Sequence, residues 1–599
     1  MASHTASDSS SAFARTCTCT VRVRGRLRRV AILLIALAAE AASGQISPEN
    51  ENVVRGLVIN SVTREPVGHA LVYSADKRFA TFTDDQGHFQ FVVPSTPEAS
   101  PPSVNETVSI DGANFVGASY STFPSVLLAR KPGFLSPEKS RSPWDVVIVE
   151  PGRDVTIALV PEARIVGSVV LPSSNAADRI VVHLYRRRVV DGRARWEVSS
   201  ELAARSNGEY RFAGLEAGTY KVFTGELMDR DPLTFNPAGL VYGYPPSYFP
   251  TASNFQGADE IHLAAGMTFQ ADLSPMRQPY YNVKLPVTNA PADEQLIVGV
   301  AIQGRKGPGL ELGYNPRNQR IEGSLPNGTY LIEATTQGQK NSSASATITV
   351  KGSPVGGPPI TLVPNGSVQI ETKLEFAQEE QKERAPVART EGNSSGDFGS
   401  VFQVQFENFS VRLDSDLEFT QETPNGISTF TRRDNTALLE GVPPGRYWVK
   451  VNSLLGFAAS VRAGDIDLLR QPLTVHPGAN LRVDIDLRND GAEISGTVEG
   501  GRKSNVSTMA SRARGFLYCI PLPDGLGQFR ETQAGQDGSF QFNQLPPGSY
   551  RVLAFDRPQT DLEFRNADAM RMFENKGQNV RLSAGQKEHL TLQLIASNE

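Results

Sequence analysis

One phrase recurs four times along this 599-residue chain, and it limits the possible folds more than any other feature. It runs from a bulky aliphatic through two residues that often include proline, then Gly-x-Tyr and an alternating strand. The copies read Leu215-Glu-Ala-Gly218-Thr-Tyr220-Lys-Val222, Leu325-Pro-Asn-Gly328-Thr-Tyr330-Leu-Ile332, Val442-Pro-Pro-Gly445-Arg-Tyr447-Trp-Val449 and Leu545-Pro-Pro-Gly548-Ser-Tyr550-Arg-Val552. Repetition at a steady period marks a tandem array. These tyrosines lie 110, 117 and 103 residues apart, about the length of one small β-sandwich. The phrase predicts a β-arch in which proline presets φ, glycine supplies a positive φ, and tyrosine shares a buried face with the alternate residues after it. A buried tyrosine hydroxyl needs a partner, and backbone near the corner is the expected one. The expected role of the arch residues is structural.

Two further phrases repeat. Asp84-Asp-Gln-Gly87-His-Phe89-Gln-Phe91, Asn207-Gly208-Glu-Tyr210-Arg-Phe212 and Asp537-Gly538-Ser-Phe540-Gln-Phe542 place a turn signal before alternating aromatics, the pattern of a half-buried strand. Val54-Arg-Gly56-Leu-Val58, Ile165-Val-Gly167-Ser-Val169 and Ile494-Ser-Gly496-Thr-Val498 open modules. Together the phrases predict an all-β chain of tandem Greek-key β-sandwich modules, prealbumin-like or immunoglobulin-like, spanning 53–160, 161–277, 278–364, 365–490 and 491–599. Closing strands run almost directly into opening ones, as Val155-Thr-Ile157-Ala-Leu159 does before Pro161, which predicts a semi-rigid rod. Residues 377–399 are polar and poor in apolar side chains and read as a disordered insertion. The best helical signal, 566–575, is two or three turns at most.

The N-terminus has its own pattern. Arg22, Arg24, Arg26, Arg28 and Arg29 precede an apolar run from Val30 to Ala39 and the small residues Ala41-Ala42-Ser43-Gly44. This is the layout of a secretory signal peptide over residues 1–44, and the run is short for a bilayer span. No later segment reads as a transmembrane helix. Cys17 and Cys19 would leave with the signal, so Cys519 is the lone cysteine of the expected mature chain, placed in the apolar run Phe516-Leu-Tyr-Cys519-Ile520. It reads as a small buried hydrophobe. A formal net charge of −5 gives no basic face for nucleic acid.

Taken together, the three phrases resemble the carboxypeptidase regulatory-like domain, a transthyretin-like sandwich. Module one matches most fully, through Val54-Arg-Gly56-Leu-Val58, Thr63-Arg-Glu-Pro66-Val-Gly68-His-Ala70-Leu-Val72, Thr83-Asp-Asp-Gln-Gly87-His-Phe89 and Ala129-Arg-Lys-Pro-Gly133-Phe134. Modules two and five match by the opening phrase, the aromatic strand and the arch; modules three and four match by the arch alone. The resemblance implies a surface or envelope context, and its grouping with carbohydrate-binding-like folds implies a sugar partner by analogy.

The chemistry the resemblance calls to mind is not encoded. A carboxypeptidase zinc site needs His-x-x-Glu and a distant histidine, and none of His69, His88, His183, His262, His476 and His589 has Glu or His three or four positions on. Gly392-Asn-Ser394-Ser-Gly396 has nucleophile-elbow spacing but lacks the strand before and the helix after that the elbow requires. The acid pairs Asp414/Asp416, Asp465/Asp467 and Asp484/Asp486 share strand faces and read as solvated rather than calcium-binding. The most suggestive surface is Tyr242-Gly-Tyr244-Pro-Pro-Ser-Tyr248-Phe249-Pro, with Tyr280-Tyr281 beyond it. Its rings form either a platform for stacking on sugars or proline-rich peptide, or packing against the neighbouring module. The sequence therefore reads as an exported, non-catalytic binding or scaffold protein of the bacterial envelope, without cofactor or metal, whose partner is a polysaccharide or an envelope protein. The alternatives are a carbohydrate-binding protein using Tyr242, Tyr244, Tyr248 and Phe249, and a surface adhesin stabilised by Lys–Asn isopeptide bonds.

Overall fold

The computed structural model describes residues 53–92, 108–110, 113–115, 126–136, 147–148, 154–172, 180–229, 241–290, 295–302, 308–337, 341–375, 409–419, 427–430, 436–453, 456–499, 515–522, 528–535 and 537–596. The expected signal peptide, the 377–399 insertion and Ser394 lie outside them. Strand is almost the only regular structure of the described residues, arranged as β-sandwiches, each around its own apolar core.

Among the described residues the sheets form five sandwiches, and one connectivity repeats in each. An opening strand lies between an antiparallel neighbour, which carries the aromatic phrase where there is one, and a parallel closing strand. In the first, Val53–Asn60 lies between His88–Val92 and Val155–Leu159; in the second, Ala163–Ser168 lies between Glu209–Leu215 and Thr268–Gln270. In the third, Gln278–Thr288 lies between Arg320–Leu325 and the short strands Val355–Gly356 and Ile360–Thr361. Gly366–Glu375 lies between Thr436–Val442 and Asn480–Arg488, and Ala492–Glu499 between Ser539–Leu545 and Lys587–Gln593. The facing sheet carries the Gly-x-Tyr strand, as Gly218–Thr224, Gly328–Gln337, Gly445–Ser453 and Gly548–Phe555. The third and fourth sandwiches thus share the wiring of the others although their sequences share only the arch.

The opening glycine and the aromatic phrase prove to be cross-strand partners: Gly56 faces Phe89, Gly167 faces Tyr210 and Gly496 faces Phe540. A Cβ added at these glycines would lie 2.0, 1.9 and 2.0 Å from the carbonyl oxygens of Val155, Ala271 and Leu590, and 2.8 Å from Phe89 Cζ, the Tyr210 hydroxyl and Phe540 Cζ. Only a residue without a side chain lets the closing strand approach so closely while a ring covers the gap. Period-2 alternation does the rest: Tyr210 and Phe212, or Phe540 and Phe542, point into the core while their neighbours face solvent.

Two features depart from a simple row of beads. Val241–Tyr244 pairs with Gln278–Thr288, so a ribbon from before residue 277 extends the sheet of the third sandwich. The hairpin of Val181–Val190 and Arg193–Ala203 reaches past its own sandwich to contact the fourth and fifth. The rod expected from short connections is therefore corrected: long-range contacts fold the chain back. The helical segment is a single turn, Ala567–Met570, capped by Asn566 and continued by the 3-10 turn Arg571–Phe573.

Candidate functional site

The four arches share one hydrogen bond. Tyr220 donates to the carbonyl of Glu216 at 2.9 Å, Tyr330 to Pro326 at 2.9 Å, Tyr447 to Pro443 at 2.8 Å and Tyr550 to Pro546 at 2.6 Å. Each hydroxyl reaches back four residues, the relation of a tyrosine corner. Burial raises these phenols above their ordinary range, to about 12 for Tyr447.

The glycine of the arch does not always play the part expected of it. Gly218 and Gly548 have φ of 155° and 150°, whereas Gly328 and Gly445 are not in the positive-φ region. At Gly328 and Gly445 the tyrosine folds back close beside the glycine: a Cβ on Gly328 would meet the Tyr330 hydroxyl at 2.7 Å, and one on Gly445 the Tyr447 ring at 3.3 Å. Glycine clears the path of the ring to its acceptor. In three of the four arches a left-handed residue also sits one step before the aliphatic, as Gly214 (φ 67°), Gly441 (68°) and Gln544 (55°). There the opening strand shifts register, between Ala163 and Ile165, Gly366 and Val368, and Ala492 and Ile494, a β-bulge.

In the aromatic run of the second sandwich, two of the four rings considered for stacking are enclosed and two are partly buried. Tyr244 and Tyr248 are 0% and 1% exposed, so neither ring has a face for a ligand. Tyr248 stacks on Phe223 at 5.0 Å and donates to the Pro308 carbonyl at 2.6 Å, in the third sandwich. Phe249 packs edge-on against Phe269 at 5.8 Å. Half-buried Tyr242 carries the Arg277 guanidinium 4.1 Å over its ring, and Arg277 pairs with Asp229 at 2.7 Å. Tyr280 and Tyr281 are buried as well. The run welds the second sandwich to the third.

Tyr248 also belongs to a satellite cluster that the sequence phrases missed: Trp196, Phe223, Tyr248, Phe255 and Ala258, with Phe419 of the fourth sandwich packed against them. Lys221 is buried in it, its ammonium 3.1 Å from the Phe255 carbonyl and over the rings of Trp196 and Phe255. Burial lowers its pKa. The Asp191-Gly192 turn was the one legible signal here, because Asp-Gly between alternating residues marks a tight hairpin, and both residues have positive φ.

Five of the six paired acids face cations or donors. Asp414 is held by Arg412 and Lys450, Asp416 by Trp448 Nε1 and Arg446, Asp484 by Arg482, Asp467 by Arg470, and Asp486 by Ser460. Among the described residues, no three His, Cys, Asp or Glu side chains gather to hold a metal. Cys519 is buried, and burial pushes its thiol far up.

The fold and these contacts define an all-β protein of tandem β-sandwiches. No family model matches the sequence, and no curated protein does. Among solved structures it is similar to the Bacillus anthracis TIE protein, at 9% identity over 70% of this chain and 69% of that one, with a TM-score of 0.15. It is also similar to BcpA, the major pilin subunit of Bacillus cereus (11%, covering 54% and 99%, TM-score 0.13). A third is two B repeat units of the collagen binding protein of Staphylococcus aureus (12%, covering 73% and 99%, TM-score 0.12). Superpositions this shallow carry no weight for function. Among the described residues, no helix is long and apolar enough to cross a membrane.

Proposed function

We propose that this chain is an exported, non-catalytic scaffold or binding protein of the bacterial envelope, built from five sandwiches of the carboxypeptidase regulatory-like kind with bounds near 160, 277, 364 and 490. The observation that carries the reading is the fate of the repeated side chains. Every recurrent tyrosine spends its hydroxyl on its own arch, and the repeated glycines and aromatics are spent on strand approach. A sequence whose repeated residues all serve structure specifies the spacing of modules and leaves recognition to the surfaces between the repeats.

The test is a pull-down with the mature chain from native envelope extract, run beside a glycan array. Retention of one envelope protein or polysaccharide supports the reading; turnover of peptide or glycan by the pure protein overturns it. The isopeptide alternative is decided by intact mass, since each Lys–Asn bond removes one ammonia. Lys221, the buried lysine among the described residues, gives its ammonium to backbone carbonyls, which does not favour it.

A further inference from the structure

The hairpin of Val181–Val190 and Arg193–Ala203 ends in a two-residue turn, Asp191-Gly192, in which φ is 53° and 70°. The tip is occupied by two sandwiches far along the chain. On one side, Asp191 takes Lys450 of the fourth sandwich at 3.2 Å, and the Arg193 guanidinium lies 3.7 Å over the Trp448 ring. On the other, Arg565 of the fifth sandwich reaches the Asp191 carboxylate at 3.1 Å and its backbone oxygen at 3.0 Å. The Arg565 amide donates to the Gly192 carbonyl at 3.2 Å, and Arg187 pairs with Glu563 at 2.5 Å. Phe564 lies against Gly192 so closely that a Cβ there would be 2.7 Å from its ring, and Phe564 stacks on Phe529 at 4.2 Å.

The two contacts differ in kind. That to the fourth sandwich is apolar and β-bonded lower on the hairpin: the Trp196 amide donates to the Glu418 carbonyl at 2.8 Å, and Phe419 enters the cluster of Tyr185 and Phe255. That to the fifth is made of two ion pairs, two hydrogen bonds to backbone carbonyls of the tip and one ring. Apolar burial and strand pairing persist when charges are altered, whereas partly exposed ion pairs are weak and screened. The Asp191 carboxylate, shared by Arg193, Lys450 and Arg565, is the common counter-ion of the junction.

We propose that this hairpin tip is a latch: it holds the second, fourth and fifth sandwiches closed on one another within a single chain, and the fifth is the part it releases. Release draws Phe564, with Phe529 stacked on it, away from Gly192 and lifts Arg565 off the Trp448 ring, which it overlies at 5.7 Å. The proposal goes beyond the scaffold reading and does not depend on what the scaffold binds.

The experiment uses the full chain. Zero-length carbodiimide coupling in dilute solution is expected to join Asp191 to Lys450 within one chain, read by peptide mass spectrometry. Absence of that product, or its formation only between two copies, overturns the closed arrangement. Hydrogen exchange then tests release. Arg187→Glu and Glu563→Arg each set like charges face to face, and exchange at the Arg565 amide is expected to rise about tenfold, the factor for roughly 1.4 kcal/mol. The double variant Arg187→Glu/Glu563→Arg is expected to restore slow exchange, which excludes misfolding as the cause. Unchanged exchange in the single variants, or fast exchange in the double variant, overturns the latch.

Discussion

Phe419 of the fourth sandwich meets Phe255 of the second edge to face, with ring centroids 4.7 Å apart and planes at 71°. The contact completes a cluster that would otherwise open to solvent beside Trp196 and Tyr185. Truncation at Phe419 should therefore be felt in two sandwiches at once. Phe→Ala in a full core costs about 3–5 kcal/mol; Phe419 is only partly buried, so Phe419→Ala is expected to cost about 2 kcal/mol. Calorimetry should show the second and fourth sandwiches melting apart where they melted together. A single unshifted transition would contradict the coupling.

The arch hydroxyls make a second prediction, with a built-in control. Tyr550→Phe removes the donor to Pro546 but keeps the ring that fills the core. A net hydrogen bond is worth about 1 kcal/mol, more where a buried acceptor is left unpaired, so a loss of about 1–2 kcal/mol is expected. The same change at Tyr220, Tyr330 and Tyr447 should cost a similar amount. Denaturant titration of each variant checks this, and a change near zero at all four would mean that the ring alone matters.

The opening glycines predict a larger effect. At Gly496 the Leu590 carbonyl stands 2.0 Å from where a Cβ would be, and that atom belongs to a strand and cannot swing aside. Gly496→Ala must push the closing strand away or displace Phe540, an overpacking cost of about 3 kcal/mol. Gly585→Ala, where nothing lies within 4 Å but φ is 65°, should cost only about 1 kcal/mol of backbone strain. Thermal melts of the two variants separate steric crowding from backbone strain.

How much of this was legible varies with distance along the chain. The phrases around Gly56, Gly167 and Gly496 and around Phe89, Tyr210 and Phe540 can be read in the sequence because period-2 patterning and turn chemistry are local. That the two phrases face each other required the register. The arch tyrosine could be read for the same reason, and the positive φ expected at the arch glycine holds at Gly218 and Gly548 but not at Gly328 and Gly445, while a further left-handed residue lies at Gly214, Gly441 and Gln544. A bulge is a property of two strands and leaves only a small residue or none in the sequence, as Gln544 illustrates. Tyr244 and Tyr248 were ambiguous because prolines hold aromatics equally well for exposure and for burial; what decides is the Pro308 carbonyl, supplied by another sandwich. The Asp191-Gly192 turn belongs to none of the three phrases, although Asp-Gly is a hairpin signal, and Lys450 and Arg565 are too far along the chain for any periodicity to connect them.

The last prediction concerns pH at the seam between the second and third sandwiches. Glu226 lies just before the ribbon that joins the third sandwich's sheet, against Tyr280 and near Glu311. Burial, followed by the charge of Glu311, raises its carboxyl from 4.5 to about 7. The folded chain therefore keeps this proton between about pH 4.5 and 7, where the unfolded chain has lost it. A raised carboxyl pKa makes the native state bind more protons, so stability falls as pH rises through that window. His183 works in the opposite sense: burial lowers its pKa below 6.5, so its part of the stability grows as pH rises. The difference between wild type and Glu226→Gln isolates the carboxyl. The two should melt alike near pH 5, and the variant should be the more stable by pH 8, with the gap opening between them. Parallel melting curves across that range would mean that Glu226 ionises in the folded chain as it does in water.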